Sequence, residues 1–158
     1  MNAEPPGATS GLATGFETAD ASPGLLLWRV THRWQAAQRE ALRPHGLTHV
    51  QFVLLASLSW LDAEGPVTQA ALAAHAATDV MMTSQVVRAL AERGLVRREP
   101  HPQDRRAVAL TVTPEGRALA DRTVRIVEDV DRAFFAHLGD RAASFAAHLA
   151  TLAAVHAR

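Results

Sequence analysis

The chain has 158 residues, 48% of them hydrophobic and 20% charged, with a formal net charge of +0 and no cysteine. That length and mixture suit one globular domain with a short extra segment. The missing thiols exclude a disulfide scaffold, thiolate metal sites and a cysteine-based redox sensor. All 16 basic residues are Arg. The guanidinium fork suits phosphate and guanine edges, but a GC-rich genome yields the same bias, so the placement of the charges has to decide. No run of about 18 apolar residues suggests a transmembrane helix. The N-terminus lacks the basic start and apolar core of a secretory signal, so a cytoplasmic protein is expected.

Residues 1–24 mix Pro5, Pro6, Gly7, Gly11, Gly15, Pro23 and Gly24 with small polar residues, which predicts a flexible arm. An ordered domain is expected from Leu25 to the end. Its first helix spans Leu25 to Arg43, with Leu27, Val30, Trp34, Ala37 and Ala41 at helical spacing and Pro44 and Gly46 ending it. Thr48 and Gln51 form a capping box, and the helix that follows, through Leu61, is apolar almost all round and therefore central to the core. Thr68 caps a short Ala-rich helix to about Ala76, and a second short helix runs from Asp79 to Arg93, closed by Gly94. Two short helices joined by a tight turn make a helix-turn-helix. Leu95–Glu99 and Ala107–Val112 then read as two strands around the polar tip 101–106, a β-hairpin placed as a wing. Thr113-Pro114 opens a long helix, Gly139-Asp140 breaks it, and Phe145, Leu149, Leu152 and Val155 mark a last helix.

This order resembles the MarR family of bacterial regulators, and three motifs sharpen the resemblance. Gly46-Leu47-Thr48-His49-Val50-Gln51-Phe52 is similar to the family's entry into its second helix. Leu90-Ala91-Glu92-Arg93-Gly94-Leu95-Val96 is similar to the end of its recognition helix. Asp104-x-Arg106, five residues, then Val112-Thr113-x-x-Gly116 resembles its wing signature, with Val where Leu is common. The match covers residues 25–158. It implies a mainly α fold with a small β-hairpin wing, a winged helix-turn-helix over 48–113, and dimerisation through helices 25–43 and 114–158. It also implies a regulator of transcription, usually a repressor, that binds a palindromic operator in double-stranded DNA.

A recognition helix presents side chains to base edges in the major groove. With Thr83, Val87 and Leu90 facing the core, the opposite face carries Met81, Ser84, Gln85 and Arg88. Gln85 suits adenine, Ser84 a base or a phosphate, and Met81 either a thymine methyl or packing against the preceding helix. At the wing, the resemblance implies that Asp104 braces the tip while an Arg enters the minor groove, where A/T tracts concentrate negative potential. Arg105 and Arg106 both qualify, and Arg106 fills the motif position. Arg88, Arg93, Arg97, Arg98, Arg105 and Arg106 outnumber Glu92, Glu99 and Asp104 here, so the neutral chain has a basic DNA-reading segment.

The apolar positions Phe134, Phe135, Leu138, Phe145, Leu149 and Leu152 exceed what a small winged helix can cover and point to a homodimer. The resemblance further implies a small aromatic or phenolic ligand in a cleft. Trp28, Arg29, His32, Arg33 and Trp60 would suit an aromatic carboxylate there, the alternative being that both Trp residues pack in the core. No cofactor is expected, and a metal site is disfavoured because the eight His are scattered, with only His45 and His49 near neighbours. An enzyme would need a phosphate loop, a nucleophile elbow or a zinc motif, and none of these motifs occurs in the sequence. A winged helix used only to contact proteins is the remaining rival, and salt-dependent binding to duplex DNA separates the two.

Overall fold

A computed structural model describes residues 13–104 and 106–155. Residues 1–12 of the expected arm and Arg105 of the wing lie outside the described residues. The chain divides into two compact units, residues 1–34 and 35–158.

In the first unit a 3-10 helix at Ala19–Ala21 leads into α1, Pro23–Leu42, of which the part from Gln35 on, Gln38 included, belongs to the second unit. The helix starts two residues before the expected Leu25. Ser22 Oγ accepts the Leu25 N–H at 3.3 Å, and Pro23 takes the first helical position, where its missing N–H costs nothing.

In the second unit a 3-10 turn at Arg43–His45 absorbs Pro44, and Gly46 adopts φ 65 to reverse the chain. Helix α2, His49–Leu61, opens on the expected capping box: Thr48 Oγ1 accepts from Gln51 N at 3.2 Å, and Gln51 Oε1 accepts from Thr48 N at 3.0 Å. Its Leu54, Leu55 and Leu58 are fully buried, and they share one core with Leu42, Leu72, Val87, Leu90 and Leu110. Helix α2 is thus the axle around which the three helices that follow it and the sheet are packed. Helix α3, Gln69–His75, is capped by Thr68, and helix α4, Val80–Glu92, by Asp79.

The sheet has three antiparallel strands rather than the expected two, with the last strand in sequence at its centre. Strand β1 is only Val67–Thr68 and pairs Val67 with Leu110. Strands β2, Val96–Pro100, and β3, Val108–Val112, form the hairpin in the register Val96↔Val112 to Pro100↔Val108. Helix α5, Pro114–Phe135, opens on Thr113 and Pro114 as expected. A 3-10 segment, Ala136–Arg141, turns at Gly139 (φ 54) into α6, Ala142–Ala153.

Two local features carry predictions. Ala77, in the turn between α3 and α4, holds φ 50 and is exposed. A Cβ in the left-handed region costs on the order of 1 kcal/mol, so Ala77→Gly is expected to stabilise the protein by up to about 1 kcal/mol in urea unfolding. A loss of stability would refute the strain. The second feature is polar: fully buried Gln38 on α1 donates through Nε2 to Asp131 Oδ1 at 2.7 Å on α5. His49 is half-buried; desolvation lowers its pKa from the usual 6.5, Asp131 pulls it up, and Arg39 pushes it down. The fold therefore favours neutral His49, and its contribution is complete above about pH 6.5, the unfolded value. Below that it is lost as the unfolded chain takes up the proton, until the folded pKa is passed. The urea midpoint should fall with pH more steeply for the native protein than for His49→Gln; parallel slopes would contradict this.

Candidate nucleic-acid interface

Helix α4 is held by both ends and by one buried face. At its start the Asp79 carboxylate accepts the N–H groups of Met81 and Met82 at 2.9 and 3.0 Å. Fully buried Thr83 donates to Asp79 O at 2.8 Å and shares a 2.8 Å hydroxyl contact with Thr78. At its end Leu95 N bonds Leu90 O and Gly94 N bonds Ala91 O, with Gly94 at φ 70. This Schellman pattern satisfies the last carbonyls and places Leu95 against the core. Arg93 is used structurally, donating through Nη1 to Gly46 O at 2.8 Å.

The opposite face presents the expected residues together. Met81, Gln85 and Arg88 are exposed and Ser84 is half-buried, with Arg88 Nη2 donating to Ser84 Oγ at 3.0 Å. These positions recur every three or four residues, so they share one stripe of the helix.

The wing stands on strands whose β2 side chains Arg97, Arg98 and Glu99 are exposed, with Arg97 3.7 Å from Glu99. Its tip closes through His101 N to Ala107 O and Ala107 N to Asp104 O, both at 3.0 Å. Asp104 Oδ1 accepts the Arg106 N–H at 2.9 Å, so the carboxylate holds the turn from which the exposed Arg106 projects. The base of the wing is clamped by a group that the sequence reading missed. Asp62, whose carboxylate is 7% exposed, accepts from Val112 N at 2.8 Å and from Arg117 Nη2 at 2.6 Å; Arg117 also donates to Ser59 O at 3.1 Å. No local pattern marks this clamp, because its members are about 50 residues apart in sequence.

Of the candidate ligand residues, four lie on α1. Trp28 is 62% exposed and its ring lies 3.9 Å from that of His32, whose Nδ1 contacts Trp28 O at 2.8 Å. Arg29 is paired with Asp20 at 2.6 Å, and Arg33 is exposed. Trp60, at the end of α2, is 79% exposed. Neither Trp is a core residue, against the packing alternative.

Among the candidate dimer residues, Phe134, Phe135, Leu138 and Phe145 are half-buried, and Leu149 and Leu152 are exposed. Phe135 and Phe145 approach with ring centroids 5.9 Å apart, and a groove of about 310 Å³ runs past them between α5 and α6. Helix α6 has no buried residue, although half its residues are Ala. No cluster of metal-ligating residues occurs among the described residues, and no helix among them is long and apolar enough to cross a membrane.

Comparison with known proteins agrees with this geometry. The chain matches the MarR family over residues 47–108. It is 45% identical over 122 residues to the uncharacterized HTH-type transcriptional regulator YdcH of Bacillus subtilis, covering 77% of this chain and 83% of that protein. It is 36% identical over 120 residues to the HTH-type transcriptional repressor Rv2887 of Mycobacterium tuberculosis, covering 75% and 84%. Among solved structures, Bordetella bronchiseptica BpsR, studied for the regulation of its DNA binding by 6-hydroxynicotinic acid, superposes with a TM-score of 0.81. That match is 26% identical and covers 90% of this chain and 100% of the other. The capped helix-turn-helix, the braced wing and a relative of such identity lead to one assignment: the chain belongs to the MarR family of transcriptional regulators.

Proposed function

We propose that this protein is a homodimeric, sequence-specific DNA-binding repressor, released from its operator by a small aromatic or phenolic ligand. The observation that carries the proposal is the outer stripe of exposed Met81, Gln85 and Arg88 with half-buried Ser84, on a helix capped at both ends, beside a wing that projects Arg106. Residues 48–113 read DNA in this proposal. Gln85 pairs with a base, Ser84 and Arg88 contact a base or phosphate, and Asp104 orients Arg106 toward the minor groove, with Arg105 the alternative residue for that role. Helices 25–43 and 114–158 pair two copies. Support comes from the apolar groove beside Phe135 and Phe145 and from the unburied α6. Such a repressor acts in the cytoplasm by occupying a promoter.

Ligand release requires tighter binding to the DNA-incompetent state. On α1 the exposed Trp28 and His32, with Arg29 and Arg33, have the chemistry to hold an aromatic acid such as the 6-hydroxynicotinic acid that regulates DNA binding by BpsR, and Trp60 on α2 is a separate exposed aromatic candidate. A panel of such acids should raise the melting temperature and release DNA, and a panel that does neither would remove the ligand from the proposal.

Selection from a random duplex library tests the reading. A palindrome is expected, with half-sites about one helical turn apart; a library that enriches no sequence would overturn it. On the selected duplex, Arg106→Ala should weaken binding and flatten the salt dependence by about one phosphate contact. An unchanged slope would remove Arg106 from the DNA contact.

A further inference from the structure

The DNA-facing end of α4 is unusually apolar for a surface meant to meet a polyanion. Val80, Met81 and Met82 are 53%, 73% and 38% exposed, and all three sit in the first turn. The first turn of a helix commonly receives phosphate on its free N–H groups. Here the Asp79 carboxylate already occupies the Met81 and Met82 N–H groups and adds a negative charge. This turn is therefore poorly suited to a phosphate and well suited to an apolar partner. The partner must lie on the same face as Gln85 and Arg88, which continue the stripe from Met81 by steps of four and three residues. In the major groove the one apolar group that a base edge offers is the C5-methyl of thymine.

We propose that Met81, with Val80 beside it, reads thymine methyl groups in the operator, which makes this end of α4 a detector of C5-methyl rather than of hydrogen-bonding edges. The inference rests on the DNA-reading function proposed above. Four residues of helix rise are about 6 Å, close to two base-pair steps of about 3.4 Å. Along the duplex, the thymine read by Met81 thus lies at most about two base pairs from the base read by Gln85. The unbranched, polarisable Met side chain can follow the methyl on either strand.

Deoxyuridine lacks only that methyl and keeps every hydrogen-bonding edge, so it isolates the contact. The full-length protein would be titrated by anisotropy against its selected operator, with each thymine replaced in turn by deoxyuridine. One or two positions per half-site are expected to weaken binding by about fourfold each, the effect of one methyl group left in water. Met81→Ala should bind the thymine and deoxyuridine duplexes equally, while Met81→Leu should keep the discrimination. Both variants should melt with the native protein and keep its salt slope, since the side chain is exposed. Equal binding of all deoxyuridine duplexes by the native protein, with salt-dependent and selective binding intact, would overturn the methyl reading alone. Discrimination that survives in Met81→Ala would overturn it as well, and would assign the methyl contact to another side chain. Failure to bind any duplex would instead remove the DNA-reading function, and this inference with it.

Discussion

Replacing Gly116 by alanine is expected to destabilise the protein by about 3 kcal/mol, the top of the usual range for overpacking. The reason is space and not backbone conformation. Gly116 sits in the first turn of α5, where an added Cβ would collide with the Leu95 carbonyl oxygen and come within 2.9 Å of Leu95 C and 3.0 Å of Val112 Cγ1. The carbonyl cannot withdraw easily, because it accepts the Thr113 N–H at 3.1 Å, and Thr113 Oγ1 in turn donates to Gly94 O at 2.7 Å. The end of α4, the base of the wing and the start of α5 therefore meet at a point where only a hydrogen atom fits. Urea unfolding measures the effect directly, and a change under about 0.5 kcal/mol, the range of an ordinary surface substitution, would show that the junction can relax.

The second large effect concerns recognition. Gln85→Ala should weaken binding to the selected operator by about 1–3 kcal/mol, the discrimination carried by one bidentate base contact, and leave binding to random duplex unchanged. Gln85 is exposed on the outer stripe of α4, while Thr83, Val87 and Leu90 on the inner face carry the packing. The substitution is thus expected to leave the melting temperature in place. Equal losses on operator and random DNA would assign Gln85 a nonspecific role instead.

Much of the scaffold was legible in the sequence because its punctuation is local. Thr48 with Gln51, Thr68, Thr113 with Pro114, and Gly94 each specify a helix end through atoms a few residues apart, and each forms the bonds its pattern implies. The hairpin around residues 101–107 was legible for the same reason. Strand β1 was not: two residues carry no period, and Val67–Thr68 becomes a strand only by pairing with Leu110 and Ala109. The Ser22-Pro23 helix start was legible in principle, as a cap followed by proline, but the surrounding glycines masked it. The stripe on α4 followed from knowing which residues face inward. The clamp of Asp62, Arg117 and Val112 did not, since acidic and basic residues at such separation have no sequence signature. Trp60 shows a further limit, for an aromatic in an apolar run is indistinguishable from core until the helix is packed.

The central claim is that α4 and the wing read DNA. The most direct measurement titrates the full-length protein against the duplex upstream of its own gene, beside a scrambled duplex, at several salt concentrations. Selective binding that weakens linearly in log salt, with a slope of several phosphate contacts, is the predicted result. Folded protein that binds neither duplex even at low salt would contradict the claim and turn the exposed face of α4 into a surface for some other partner.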